Sequence, residues 1–162
     1  MRTIRTIGLT LAAAATFLGT AVATAQEATP VVPGEPITFT LVEHATNVTV
    51  VDVGVPGMSP GDITVWGPDA LYDEANEVDT GAVTQGSCLA LNTAGDNHCY
   101  ETIVFTNGST LTIQGVQLGN GGPSVTTITG GSGDYLDAAG TLTVTATDDR
   151  LLWTKTFEFT VD

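Results

Sequence analysis

Hydrophobic and polar residues alternate along most of this chain. The clearest run is Thr141-Leu142-Thr143-Val144-Thr145-Ala146-Thr147. The C-terminal segment repeats it, with Leu151, Trp153, Phe157, Phe159 and Val161 on one parity and Leu152, Thr154, Thr156, Glu158 and Thr160 on the other. Successive side chains of a strand point to opposite faces, so these runs predict strands with one apolar face. Strands are expected over 37–43, 47–53, 63–66, 82–91, 98–106, 109–118, 124–129, 141–147 and 151–161, rich in threonine and valine. Pro56-Gly57, Pro60-Gly61, Gly95-Asp96, Asn107-Gly108, residues 119–123 and Asp148-Asp149 supply the turns. No long helical period interrupts the pattern. Eight or nine short strands with tight connections predict an all-β fold, an antiparallel barrel or sandwich.

Parity also groups the candidate chemistry. Asn107-Gly108 suits a two-residue type I′ turn, which would set Val104 opposite Leu111 and Glu101 opposite Gln114. Cys99, Glu101, Ile103 and Phe105 then share a face. If that face lines the interior, Glu101 is a buried carboxylate whose pKa desolvation raises, fit for acid or base work. If it faces outward, the ordinary place for a lone carboxylate, Glu101 is a solvated surface group. Lys155 interrupts the apolar parity of the last strand. Its stem is expected along apolar surface with the ammonium in water; the alternative is an interior cation paired with Glu43 or Glu101.

Residues 1–25 have the form of a secretory signal peptide: Arg2 and Arg5, an apolar run from Ile7 to Val22, then Ala23-Thr24-Ala25. Residues 26–36, with Pro30, Pro33 and Pro36, form a polar leader, and 37–162 are enough for one domain. The expected location is extracellular, with no membrane association after cleavage. Beyond the signal, two basic residues stand against 18 acidic ones, a net charge of −16. Nucleic acid is excluded as a partner, because phosphates need a basic patch. Cys88 and Cys99 are the only cysteines and flank a turn-rich stretch, so in an exported protein they predict a hairpin disulfide.

Other signals are weak. His98 beside Cys99 gives too few ligands for zinc. The acidic loop with Asp69, Asp73, Glu74, Glu77 and Asp79 lacks EF-hand spacing and reads as solvated charge. Ser132 is not a nucleophile elbow, since the required glycine spacing around it is missing.

A wider pattern is more specific. In order come Gly61-Asp62, Leu71-Tyr72-Asp73, Gly81, Gly86-Ser87-Cys88, Tyr100-Glu101, Phe105, Gln114-Gly115, Thr129-Gly130-Gly131-Ser132-Gly133, Gly140 and a last strand with Phe157 and Phe159. Over residues 61–162 this resembles the allene oxide cyclase and dirigent barrel group. The resemblance implies an eight-stranded antiparallel β-barrel, a homo-oligomer (a trimer in the cyclases), no cofactor, and a small apolar or phenolic ligand in the lumen. Cyclases close a ring in a reactive epoxide with help from a first-strand carboxylate, and dirigent proteins orient reactive phenolic intermediates. The cyclase segment tyrosine, glutamate, isoleucine, asparagine, glutamate falls on Phe39 to Glu43, so only its second glutamate is kept. Glu43 and Glu101 are the candidate catalytic residues. The competing expectation is a carrier, or a structural domain whose barrel is filled by its own side chains.

Overall fold

A computed structural model describes residues 34–162, so the expected signal peptide and most of the leader lie outside the described residues. Nine strands follow in chain order: β1 (Ile37–His44), β2 (Val48–Val51), β3 (Ile63–Tyr72), β4 (Asp79–Ala90), β5 (Asn97–Val104), β6 (Thr110–Gln117), β7 (Ser124–Ser132), β8 (Ala139–Ala146) and β9 (Leu152–Thr160). From β2 to β9 each strand pairs antiparallel with the next. β9 then pairs with β1, and β1 pairs back onto β3, closing the cylinder. β1 and β2 are two halves of one wall strand, since Val42↔Tyr72 and Val48↔Trp66 keep the same offset along β3. The fold is therefore a closed eight-stranded antiparallel barrel, as the sequence pattern and resemblance imply.

Between those halves, residues 45–47 leave the ladder beside Gly67-Pro68. Proline has no N–H to donate, and the β3–β4 register slips there: Trp66 faces Gly86 while Asp69 faces Thr84. Three steps on one strand match two on the other. Trp66 and Asp69 thus share the inward side, and β3 runs to Tyr72, well past the expected 63–66. Asp69, assigned by sequence to a solvated acidic loop, is instead wholly buried in the wall. Its Oδ1 accepts from the backbone N–H groups of Thr46 (3.1 Å) and Asn47 (2.9 Å), donors that the interrupted ladder leaves over.

The β5–β6 turn also departs from expectation. Phe105 N–H donates to the Ser109 carbonyl and Gly108 N–H to the Phe105 carbonyl. Only Gly108 has positive φ, at 84°, so the loop holds three residues rather than two. The register moves by one: Glu101 faces Ile113, and Gln114 faces Tyr100 on the outer wall.

The lumen is divided along its length. At one end Phe39 stacks on Phe157 with centroids 4.7 Å apart, Tyr135 packs on Phe105 and Phe159, and Leu71, Ile103, Leu111, Ile128 and Leu142 fill the middle. Gly131 belongs to this closed end. A Cβ there would lie 2.4 Å from the carbonyl oxygens of both Thr110 and Tyr135, so only glycine lets the corner close. The opposite end, where β1 and β5 meet β9, is built differently.

Candidate functional site

Three charged side chains, two from the paired strands β1 and β9 and one from β5 across the lumen, converge inside the barrel. Lys155 of β9 lies opposite Leu41, and its Nζ is 2.8 Å from Glu43 Oε2 of β1. The same ammonium contacts Glu101 Oε1 of β5, which also accepts from Thr84 Oγ1 of β4 at 2.6 Å. Relative exposures of 1% for Lys155 and 4% for each glutamate make this a desolvated cluster, not a surface network. Burial works against the lysine cation, but Glu101 and Glu43 more than reverse that and hold its pKa above the ordinary value. For Glu43 burial dominates. Its pKa is raised, with Lys155 opposing the rise and Glu101 and Asp69 adding to it.

Glu43 and Lys155 form the floor of a cavity of about 280 Å³. Trp66, Trp153, Val48, Val50 and Met58 are among its walls, with Thr64, Asn97, Gln117 and Arg150 completing it. It is small beside ordinary ligand pockets and mostly apolar, with a few polar groups converging on it. Trp66 Nε1 and Glu101 Oε2 are buried without hydrogen-bond partners. Glu101 does not line this cavity; it stands behind Lys155. A second, more open cleft of about 560 Å³ lies against the wall formed by β3 to β7, bordered by Gln85, Ser87, Tyr100, Thr102 and Gln114.

The structure thus brings together both carboxylates named from sequence, and it corrects two placements. Glu101 faces inward, not into solvent, because the Cys99 parity is the interior parity. Lys155 does not reach water: two carboxylates meet it inside, and paired charge is what a buried ammonium requires. Sequence reasoning missed Thr84 and Trp66. Thr84 could have been found from the expected Gly86–Glu101 rung, since two residues along the strand share a face. His44 lies outside the barrel, stacked on Tyr72 with centroids 3.9 Å apart and 2.6 Å from Asn76 Oδ1, so it forms no dyad with Glu43. Cys88 and Cys99 are disulfide-bonded across the β4–β5 rung where sequence placed them.

No protein-family model matches the chain, and no curated protein matches it in sequence. Solved structures do. The chain is similar to a pyocyanin demethylase at 25% identity, over 75% of this chain and 99% of that one, with a TM-score of 0.64. It is similar to the pterocarpan synthase dirigent protein GePTS1 at 16% identity, over 79% and 86% of the two chains, with a TM-score of 0.62. The Diels Alderase AbmU from Streptomyces koyangensis matches at 17% identity, over 78% and 69%, with a TM-score of 0.60. The fold is that of the allene oxide cyclase and dirigent type of barrel.

Proposed function

We propose that the protein is a secreted small-molecule-binding barrel that admits an apolar or phenolic ligand to the tryptophan-walled cavity, and that Glu43 acts on it as an acid in a cofactor-free cyclisation or isomerisation. The place of Glu43 carries this reading: a carboxyl group with raised pKa on the floor of an apolar cavity. Its proton passes to an oxygen of the ligand, the ring closes or the bond shifts, and a proton lost from the product returns to the carboxylate. Lys155 fixes the Glu43 carboxyl by its 2.8 Å contact. Glu101 and Thr84 hold Lys155 in turn and are positioning residues. The confined walls align the ligand for reaction.

The likeness to a demethylase, a dirigent protein and a Diels Alderase, each named for work on a small molecule, supports this use of the barrel. Export rests on residues 1–25 and fits the disulfide, and the mass of the secreted chain tests it. The homo-oligomer implied by resemblance is read by light scattering.

Both tryptophans of the chain wall the cavity, so intrinsic fluorescence reports its occupancy directly. Titration with a panel of phenols and reactive polyenes is expected to quench that emission, and Glu43→Gln is expected to keep binding while abolishing turnover. Binding with no turnover by the wild type assigns a carrier. Unchanged turnover by Glu43→Gln removes Glu43 as the acid, and emission that no compound alters removes the binding role.

A further inference from the structure

Outside the first five residues the chain has two strongly basic side chains, Arg150 and Lys155, and both line the same cavity. Lys155 is paired with both Glu43 and Glu101 at the floor. Arg150 stands at the rim, exposed, in the turn between β8 and β9. Its guanidinium donates one hydrogen bond to the Gly119 carbonyl, and its own carbonyl accepts from Trp153 Nε1 at 3.0 Å, which ties the rim cation to a wall of the cavity. Among the described residues no carboxylate lies within ion-pair distance of it, although Asp148 and Asp149 precede it. Asp149 is turned to Thr147 Oγ1 and the Leu151 N–H instead. A guanidinium has five N–H donors, so most of this one is free at the mouth.

Resting on the ligand-binding reading above, we propose that Arg150 anchors the carboxylate of an aromatic acid whose apolar body enters between Trp66 and Trp153. An anion has no place on the floor beside Glu43, so the charged end stays at the rim. The net charge of −16 beyond the signal, two basic residues against 18 acidic ones, opposes any anion at a distance. Salt at 0.15 M largely screens repulsion from charges more than about 8 Å away, whereas a charge-assisted contact persists.

Cinnamate and cinnamamide, which share a body and differ in charge, test this by tryptophan fluorescence in 0.15 M salt. Wild type is expected to bind the acid about tenfold or more tightly than the amide. Arg150→Gln is expected to bring that ratio close to one, with Arg150→Lys recovering part of it and both variants remaining folded, their melting temperature lowered only slightly by the altered Gly119 contact. Equal binding of acid and amide by wild type, or a ratio unchanged in Arg150→Gln, overturns the anchor while leaving the cavity as a binding site. Failure of both compounds to bind overturns the anchor and the cavity reading together.

Discussion

Glu43 and Trp153 occupy one rung of the β1–β9 ladder, so the carboxyl group at the cavity floor and an indole of its wall are fixed by the same backbone pairing. Lys155 lies two residues further along β9 on the same face, within reach of that carboxyl group. The site is therefore set by strands, not loops, and substitutions in it test fold and chemistry together.

Lys155→Met is expected to destabilise the barrel by about 3–5 kcal/mol, because it strands Glu43 and Glu101 without their counter-charge. Urea denaturation measures the loss. Adding Glu43→Gln and Glu101→Gln to the same chain should recover most of it; no recovery would mean that the lysine acts through packing alone.

The raised pKa of Glu43 has a definite sign in stability. Between its ordinary 4.5 and its raised value the folded protein keeps a proton that the unfolded chain has released. Stability should then fall as pH climbs through that window. Lys155 contributes below its ordinary 10.5, and its contribution is lost as pH rises through its higher folded value. Urea midpoints followed upward from about pH 4 should show the acid-side decline in wild type and its loss in Glu43→Gln. A decline of equal size in the variant assigns it to another group.

Gly86 lies opposite Glu101, and a Cβ there would sit 2.2 Å from the Tyr100 carbonyl oxygen and 2.6 Å from the Trp66 ring. Gly86→Ala should cost roughly 1–3 kcal/mol through overpacking. It should also shift tryptophan emission by displacing the indole. A variant with wild-type stability and spectrum would show that this rung has more room than the close approach implies.

Most of the wall was legible in sequence because alternation with period two survives in nearly every strand. The disulfide was legible because two cysteines flank one turn. Parity tells which residues travel together, as Cys99, Glu101 and Ile103 do, but not which side closes inward. That depends on how the whole sheet curls, and so the burial of Glu101 and Lys155 was out of reach. Their meeting with Glu43 joins β1, β5 and β9, whose proximity only closure creates. Asp69 was hidden for a different reason: the slip at Gly67-Pro68 reverses the parity, so counting from Trp66 gives the wrong face. The Asn107-Gly108 turn misled because one added residue in the loop shifts every partner by one.

The two joins of the first strand are unequal. Along β9 it is held by eight residue pairs, from Ile37↔Phe159 to His44↔Leu152, while against β3 the seam has three, with Glu43↔Leu71 in the middle. Beyond it the wall against β3 continues only through β2, from Val48↔Trp66 to Val51↔Ile63. Glu43 stands in the middle of that three-pair join, and Lys155 ties it across the lumen to Glu101 of β5, so buried charge links the first strand to the opposite wall where backbone pairing holds it least.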